Sequence, residues 1–459
     1  MTMKPNELVD LNLRHFWHPC TQMKDCKTLP PLPVETASGS IITLKDGRRL
    51  IDGISSWWCK SLGHGEPRVR KAFIDQLNKF EHVIMANCCS EPVAMLCEEL
   101  SKLSPGLERV YLAENGSVSV EIAMKMSLQY HMQTGHPEKN LFAALHNGYH
   151  GETILTLAAG NCELYSKPFL HLCPKIPKLG PLSYISGEES PEWEHMPEDQ
   201  WKKIEAQLEE HADRIAAIVF EPVLQGAAGM LIYSPDLLRR LRKWADAHGA
   251  HLIADEIMTG FGRTGKFLAC DHAGIQPDFM LLSKGLTSGY CPLAAVVTTD
   301  QVYEAFYADY GTGRTFMHST TFAGYAPAAA AALAVIRIYQ EEKIVEQVAK
   351  RAAGLRARMQ KIADHTGMLA NVRGLGFSTA AEIVNPDTKK SFARRLRTGF
   401  RFSRHVIDNG VILRELGTGD TIYFLPPLNT PEDLLDEMAE ITERSLVQAV
   451  RESQKLSAE

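Results

Sequence analysis

Leu252-Ile253-Ala254-Asp255-Glu256 and Phe279-Met280-Leu281-Leu282-Ser283-Lys284 carry the plan of this chain. Each is a short apolar run that breaks off into ionisable residues. Uninterrupted apolar residues, without polar alternation, suit a strand covered on both faces, as in a parallel sheet. Between the two runs lies Thr259-Gly260-Phe261-Gly262-Arg263-Thr264-Gly265, whose glycines mark a loop, so the runs are separate elements. Similar runs occur at 109–112, Leu141–Leu145, Ile215–Phe220 and 293–298. Helical periodicity fills the gaps at 69–79, 92–103, 118–130 and Pro235–His248. Strands alternating with helices predict an α/β unit over 68–335, built on a mainly parallel sheet.

Outside that unit the texture changes. Ile41–Leu44 and the run from Arg49 flank Lys45-Asp46-Gly47-Arg48, a hairpin signal. Two long helices are expected at 328–339 and 345–366, then a smaller α+β unit ending in a helix at 431–453. The expected organisation is an N-terminal segment 1–67 that joins a C-terminal small domain 336–459, with the large domain 68–335 between them.

With 459 residues and 45% hydrophobic content, the chain can bury a large core. Its 49 basic against 55 acidic residues give a formal charge of −6, and no basic block marks a nucleic-acid or anionic-lipid partner. The ten cysteines are scattered, without C-x-x-C spacing, which reads as reduced thiols in the cytosol. Neither a secretory h-region nor a membrane-length apolar run is visible, so a cytoplasmic small-molecule enzyme is expected.

In open α/β sheets ligands gather at the carboxyl ends of the strands. Glu114-Asn115-Gly116-Ser117, Glu221, Asp255-Glu256 and Ser283-Lys284 each follow an expected strand. Backbone N–H groups at Gly116 and Ser117, opening a helix, attract an anion such as phosphate. An acid can keep a pyridine nitrogen protonated, and a desolvated lysine can form an imine. Alone, each is ordinary: a turn and cap, an N-cap acid, a solvated lysine. Together on one rim they describe a site for pyridoxal 5′-phosphate (PLP). No metal cluster is called for.

The stretch from Leu252 to Gly265, with Pro277-Asp278 through Lys284-Gly285-Leu286 and 29 residues from Asp255 to Lys284, resembles the signature of the class III aminotransferases. The likeness runs from about His15 to Pro427. It implies the PLP-dependent transferase fold type I, with a seven-stranded, mainly parallel sheet, a small α+β domain and a homodimer with shared active sites. It implies that Lys284 is the Schiff-base lysine and proton shuttle, that Asp255 pairs with the ring nitrogen, and that Gly116 and Ser117 hold the phosphate. Tyr149, in Asn147-Gly148-Tyr149-His150-Gly151, and Ile257 would close the two ring faces, with Glu221 beside the cofactor. Thr320 and Thr321 would reach the phosphate from the second subunit.

Three further features are similar to the branch of the family that aminates 8-amino-7-oxononanoate to 7,8-diaminononanoate on the way to biotin. They are His18-Pro19-Cys20-Thr21-Gln22-Met23, the paired tryptophans of Asp52-Gly53-Ile54-Ser55-Ser56-Trp57-Trp58, and Arg414 in Val411-Ile412-Leu413-Arg414. An indole wall suits a run of methylenes and a guanidinium fork suits a terminal carboxylate. The resemblance also places Cys20, Tyr149, Ser319 and Tyr423 around the substrate. The chain departs from the family at Cys20, where an aromatic is common, and at Ser319-Thr320, Glu114-Asn115 and Cys59-Lys60. The amino donor therefore stays open between S-adenosylmethionine and lysine. Other readings are an ω-amino acid or diamine transaminase, which shares the same catalytic residues, an NAD(P)-dependent oxidoreductase, or a non-catalytic protein that has kept the fold. The oxidoreductase would need a third glycine that Gly260-Phe261-Gly262-Arg263-Thr264-Gly265 does not place.

Overall fold

The computed structural model of the protein describes residues 3–161, 163–416 and 420–458. At its centre is a seven-stranded sheet in the order Arg109–Ala113, Ala294–Thr298, Phe279–Leu282, His251–Asp255, Ile215–Phe220, Leu141–Leu145, Lys178–Leu179. All six residues of Ile215–Phe220 and all five of His251–Asp255 are buried. Alternate residues supply opposite faces, as the pleat requires. Ile253, Phe279 and Leu281 pack with Val120, Ala123 and Met124 of the helix Gly116–Gln133. Leu252, Ala254, Met280 and Leu282 pack on the other side with Leu238 and Leu241 of the helix Pro235–His248. That is why the strands are continuously apolar.

The direction of one strand departs from the rest. Ala294–Thr298 runs antiparallel to both its neighbours, whereas the pairs from Phe279–Leu282 through to Lys178–Leu179 are parallel. Only residues 283–293 connect it to the preceding strand. A parallel return needs a crossover of a dozen residues or more, so this loop returns the chain antiparallel.

Local chemistry sets the helix ends. Ser234 Oγ accepts the Asp236 N–H at 3.2 Å, Pro235 opens the helix and Gly249, at φ 61°, closes it. Asn115 caps Gly116–Gln133 by accepting the Val118 N–H at 3.1 Å.

Three smaller sheets accompany the seven-stranded one among the described residues, the least of them the two-stranded pair Leu224–Gln225 and Leu231–Ile232. Val34–Ser38, Ile41–Leu44 and Arg49–Asp52 form an antiparallel meander, and Val411–Ile412 adds to its edge in parallel, with Val411 opposite Ile51. The two ends of the chain are thereby stitched together. Leu369–Leu375, Ser378–Ile383 and Thr421–Phe424 form the third sheet. Ile344–Thr366 packs on the third sheet and against Glu432–Ala458, while the long helix Ala326–Glu341 packs on the helices Pro67–Leu77 and Glu91–Ser101. Among the described residues no helix is long and apolar enough to cross a membrane.

Candidate active site

A cavity of about 1140 Å³ opens at the carboxyl rim of the large sheet, and Gly116, Ser117, Glu221, Asp255 and Lys284 all line it. Each follows or ends a strand of that sheet. Strands that run the same way deliver their last residues to the same edge, and the parallel register sets Asp255 opposite Leu281, three residues before Lys284.

At the helix N-terminus, the first-turn N–H groups of Gly116 and Ser117 have no intrahelical acceptor. The start is crowded: a Cβ on Gly116 would lie 2.7 Å from Ile257 Cδ1. The facing loop is equally tight. Gly151 has φ 121°, and a Cβ there would come within 2.1 Å of Ser117 Oγ. The loop is tied down where the Glu152 N–H reaches Ser117 Oγ at 3.3 Å.

Asp255 is buried. Its Oδ2 accepts from His150 Nδ1 at 2.8 Å and its Oδ1 accepts the Ile257 N–H at 3.2 Å. The His150 side chain is wholly enclosed, so an imidazole N–H is committed to the carboxylate. Glu221 accepts the N–H groups of Tyr149 (3.0 Å) and Gly226 (2.9 Å). Burial, with Asp255 nearby, pushes its carboxyl up to about 7 despite those bonds and the opposing pull of His150. Lys284 takes a left-handed backbone at φ 42° directly after its strand. Burial lowers its ammonium pKa against the opposing pull of Asp255 and Glu221, which favours the neutral amine. Ser283 Oγ fixes the turn by donating to Leu293 O at 2.7 Å.

Ser55, Ser56, Trp57 and Trp58 all have φ between 44° and 73°, a left-handed turn made without glycine. Such backbone costs about 1–2 kcal/mol per residue and needs external support. Asp52, completely buried, supplies much of it. Its carboxylate accepts the Ser56 N–H (2.9 Å), the Ser56 hydroxyl (2.7 Å) and His64 Nε2 (2.9 Å). Burial opposes the charge on Asp52, but these bonds outweigh it and hold the carboxyl below its ordinary range. Ser55 Oγ donates to Leu425 O at 2.6 Å and accepts from the buried Arg263 at 3.3 Å.

The turn sets two adjacent indoles in the cavity wall, and each faces a basic side chain. Lys284 Nζ lies 4.9 Å from the Trp58 ring centre, and the Arg414 guanidinium carbon lies 5.1 Å from that of Trp57. Trp58 Nε1 donates to the Tyr423 hydroxyl at 3.1 Å. Arg414 also donates to Cys20 O at 3.2 Å. On the opposite wall Tyr149 donates to Glu152 at 3.0 Å, and its ring lies 5.5 Å from that of Tyr165.

Of the residues expected from sequence, Cys20, Trp57, Trp58, Gly116, Ser117, Tyr149, Glu221, Asp255, Ile257, Lys284, Arg414 and Tyr423 line this one cavity. Ser319, Thr320 and Thr321 do not. Ser319 and Thr321 are exposed, on a segment held to the body by Phe322 N–H to Glu114 Oε1 at 2.9 Å. The sequence reading did not single out His150, Glu152, Tyr165, Arg394 or Arg395, which also line the cavity. His150 stood inside the quoted Gly-Tyr-His-Gly motif, but its partner lies 105 residues away.

The cavity fits PLP by its own chemistry. It brings together an anion-accepting helix start crowded by Ile257, a buried carboxylate for a ring nitrogen and a desolvated amine for an aldehyde.

The family model for Aminotransferase class-III matches residues 23–446. The chain is 35% identical over 461 residues to the adenosylmethionine-8-amino-7-oxononanoate aminotransferase of Aquifex aeolicus, covering 99% of each. Among solved structures, the adenosylmethionine-8-amino-7-oxononanoate aminotransferase of Methanocaldococcus jannaschii superposes with a TM-score of 0.89 at 28% identity, covering 96% of this chain and 99% of that one. An amine transaminase from an uncultivated Pseudomonas species, in its PLP-bound form, gives 0.86 at 30% identity, with 95% and 99% covered.

Proposed function

The chain belongs to the class-III aminotransferases, and from that premise we propose that it aminates 8-amino-7-oxononanoate to 7,8-diaminononanoate with S-adenosylmethionine as the amino donor. One observation carries the substrate: neighbouring indoles of one turn hold the reactive amine and a guanidinium. A substrate lying along that wall presents its keto carbon to Lys284 and its carboxylate to Arg414, with apolar surface between for the methylenes. The names of the full-length relatives support the same acceptor and donor.

The cofactor is PLP. Gly116 and Ser117 would hold its phosphate, Asp255 its ring nitrogen, and Tyr149 and Ile257 its two faces. Bound there, it accepts the amino group from the donor, returns it to the acceptor, and spreads the negative charge left when a Cα–H bond breaks. Lys284 Nζ takes the proton from the donor's Cα, and in the second half-reaction delivers one to C7 of the acceptor. Burial lowers its ammonium pKa, which eases its service as a base. Asp255, held by His150, would stabilise positive charge on the ring nitrogen. Arg414 binds a carboxylate bidentately and stays charged throughout.

The protein acts as a homodimer in the cytosol. Ser319, Thr320 and Thr321 lie outside their own cavity and serve the cavity of a second copy. The cysteines are free among the described residues, which suits a reducing compartment.

A donor panel with 8-amino-7-oxononanoate as acceptor tests the proposal. Turnover with S-adenosylmethionine and little with lysine is expected. Turnover with lysine alone would replace the donor. Fast turnover of β-alanine or putrescine without any of 8-amino-7-oxononanoate would remove the acceptor assignment.

A further inference from the structure

Five arginines crowd the segment 394–404, and the fold neutralises three of them. Arg397 forms a two-pronged pair with Asp25 at 2.8 and 2.6 Å. Arg401 and Arg404 share Glu452 at 3.2 and 2.9 Å. Arg394 and Arg395 line the cavity and are exposed, and among the described residues their guanidinium groups make no hydrogen bond or ion pair. Their backbone is nonetheless fixed. They open the short turn Arg394–Leu396, bracketed by buried Phe392 and Leu396. Acids are at hand on the same wall, since Glu415 and Asp420 also line it, but neither pairs with these arginines. Glu415 instead accepts from Ser403 at 2.6 Å.

Two positive side chains held unpaired at a cavity mouth raise the local concentration of anions. Arg414 is placed differently: its guanidinium is packed on Trp57 and tied to Cys20 O. We propose that Arg394 and Arg395 form a capture rim for long-chain carboxylates, which draws the anionic end of the acceptor into the cavity ahead of Arg414. The rim deepens the acceptor reading given above and rests on it for the identity of the substrate. It favours a carboxylate over its neutral amide, and it acts on substrate capture rather than on the chemical step.

The test compares Arg394→Gln/Arg395→Gln with the wild-type holoenzyme and with Lys202→Gln/Arg451→Gln, which removes the same charge elsewhere on the surface. Nonanoate binding is followed by calorimetry, with nonanamide as the neutral control, and KM and kcat for 8-amino-7-oxononanoate by turnover. The rim variant should weaken nonanoate binding and raise KM about five- to tenfold at low salt, with kcat changed much less. The effect should shrink to about twofold or less in about 0.5 M salt, and nonanamide should not respond. An unchanged nonanoate affinity would overturn the rim, as would a loss that persists in high salt or appears equally in the control double variant. If the wild type binds nonanoate but does not turn over 8-amino-7-oxononanoate, the acceptor assignment fails while the rim is still tested by calorimetry.

Discussion

Glu221 sits where a carboxylate is hardest to keep charged. It is buried beside Asp255, and its two backbone donors only partly offset the lost hydration. With its carboxyl pushed up to about 7, the folded protein holds a proton that the unfolded chain, with an ordinary value of about 4.3, has already released. Between those values the native state binds more protons, so the contribution of Glu221 to stability falls as pH rises and levels off above about 7. Glu256, also buried and pushed up to about 7, pulls the same way. Replacing Glu221 with Gln should therefore flatten the decline of the melting temperature between about pH 4.5 and 7. A melting profile with the wild-type slope would show that Glu221 does not titrate there.

The left-handed turn Ser55–Trp58 shows how an element can be specified from a distance. Nothing in Ser-Ser-Trp-Trp announces it, because the residues that tolerate positive φ are glycine and, less often, Asn or Asp. Its supports are Asp52, His64, Arg263 and the carbonyl of Leu425, so only the folded chain defines it. The buried strands were legible for the opposite reason: burial on both faces leaves its mark residue by residue, as in Ile215–Phe220. Asp52→Ala removes the bonds from the Ile54 and Ser56 N–H groups, the Ser56 hydroxyl and His64 at once and should cost about 2–3 kcal/mol, read as a lower thermal midpoint. KM for 8-amino-7-oxononanoate should rise as well, because both indoles lose their seating. A variant with a normal KM and midpoint would mean that the turn holds without Asp52. At the cavity, the strand-end residues could be read because topology alone delivers them to one rim. Arg394 and Arg395 could not: five neighbouring arginines read as a solvated face until Asp25 and Glu452 are seen to neutralise the others.

At the scale of the whole molecule, the segment Ser319-Thr320-Thr321 lies outside the cavity of its own chain. If it completes the site of a second copy, defects in Lys284 and Thr321 carried on separate subunits fall on the same cavity of a mixed dimer and leave the other intact. Lys284→Ala should lower turnover by about 10²–10⁴-fold, and Thr321→Ala should weaken PLP retention. With PLP too scarce to load Thr321→Ala, re-equilibrating the two proteins together should restore about a quarter of wild-type activity, since half the dimers then hold one intact site. No recovery from subunits shown to have exchanged would place Thr321 outside the shared site.

The parallel pairing of Val411–Ile412 with Arg49–Asp52 has a consequence for how the protein is made. The tryptophans emerge from the ribosome early, while Tyr423 and the Leu425 carbonyl that seat their turn emerge near the end. At about 5–20 residues per second, the N-terminal segment waits on the order of 20–70 s for its partners. During that interval the nascent chain carries two unsheltered indoles and an unpaired strand edge, which makes it a natural client for chaperones. A chain released before residue 411 lacks Arg414 and Tyr423 of the cavity wall and the strand that pairs with Arg49–Asp52.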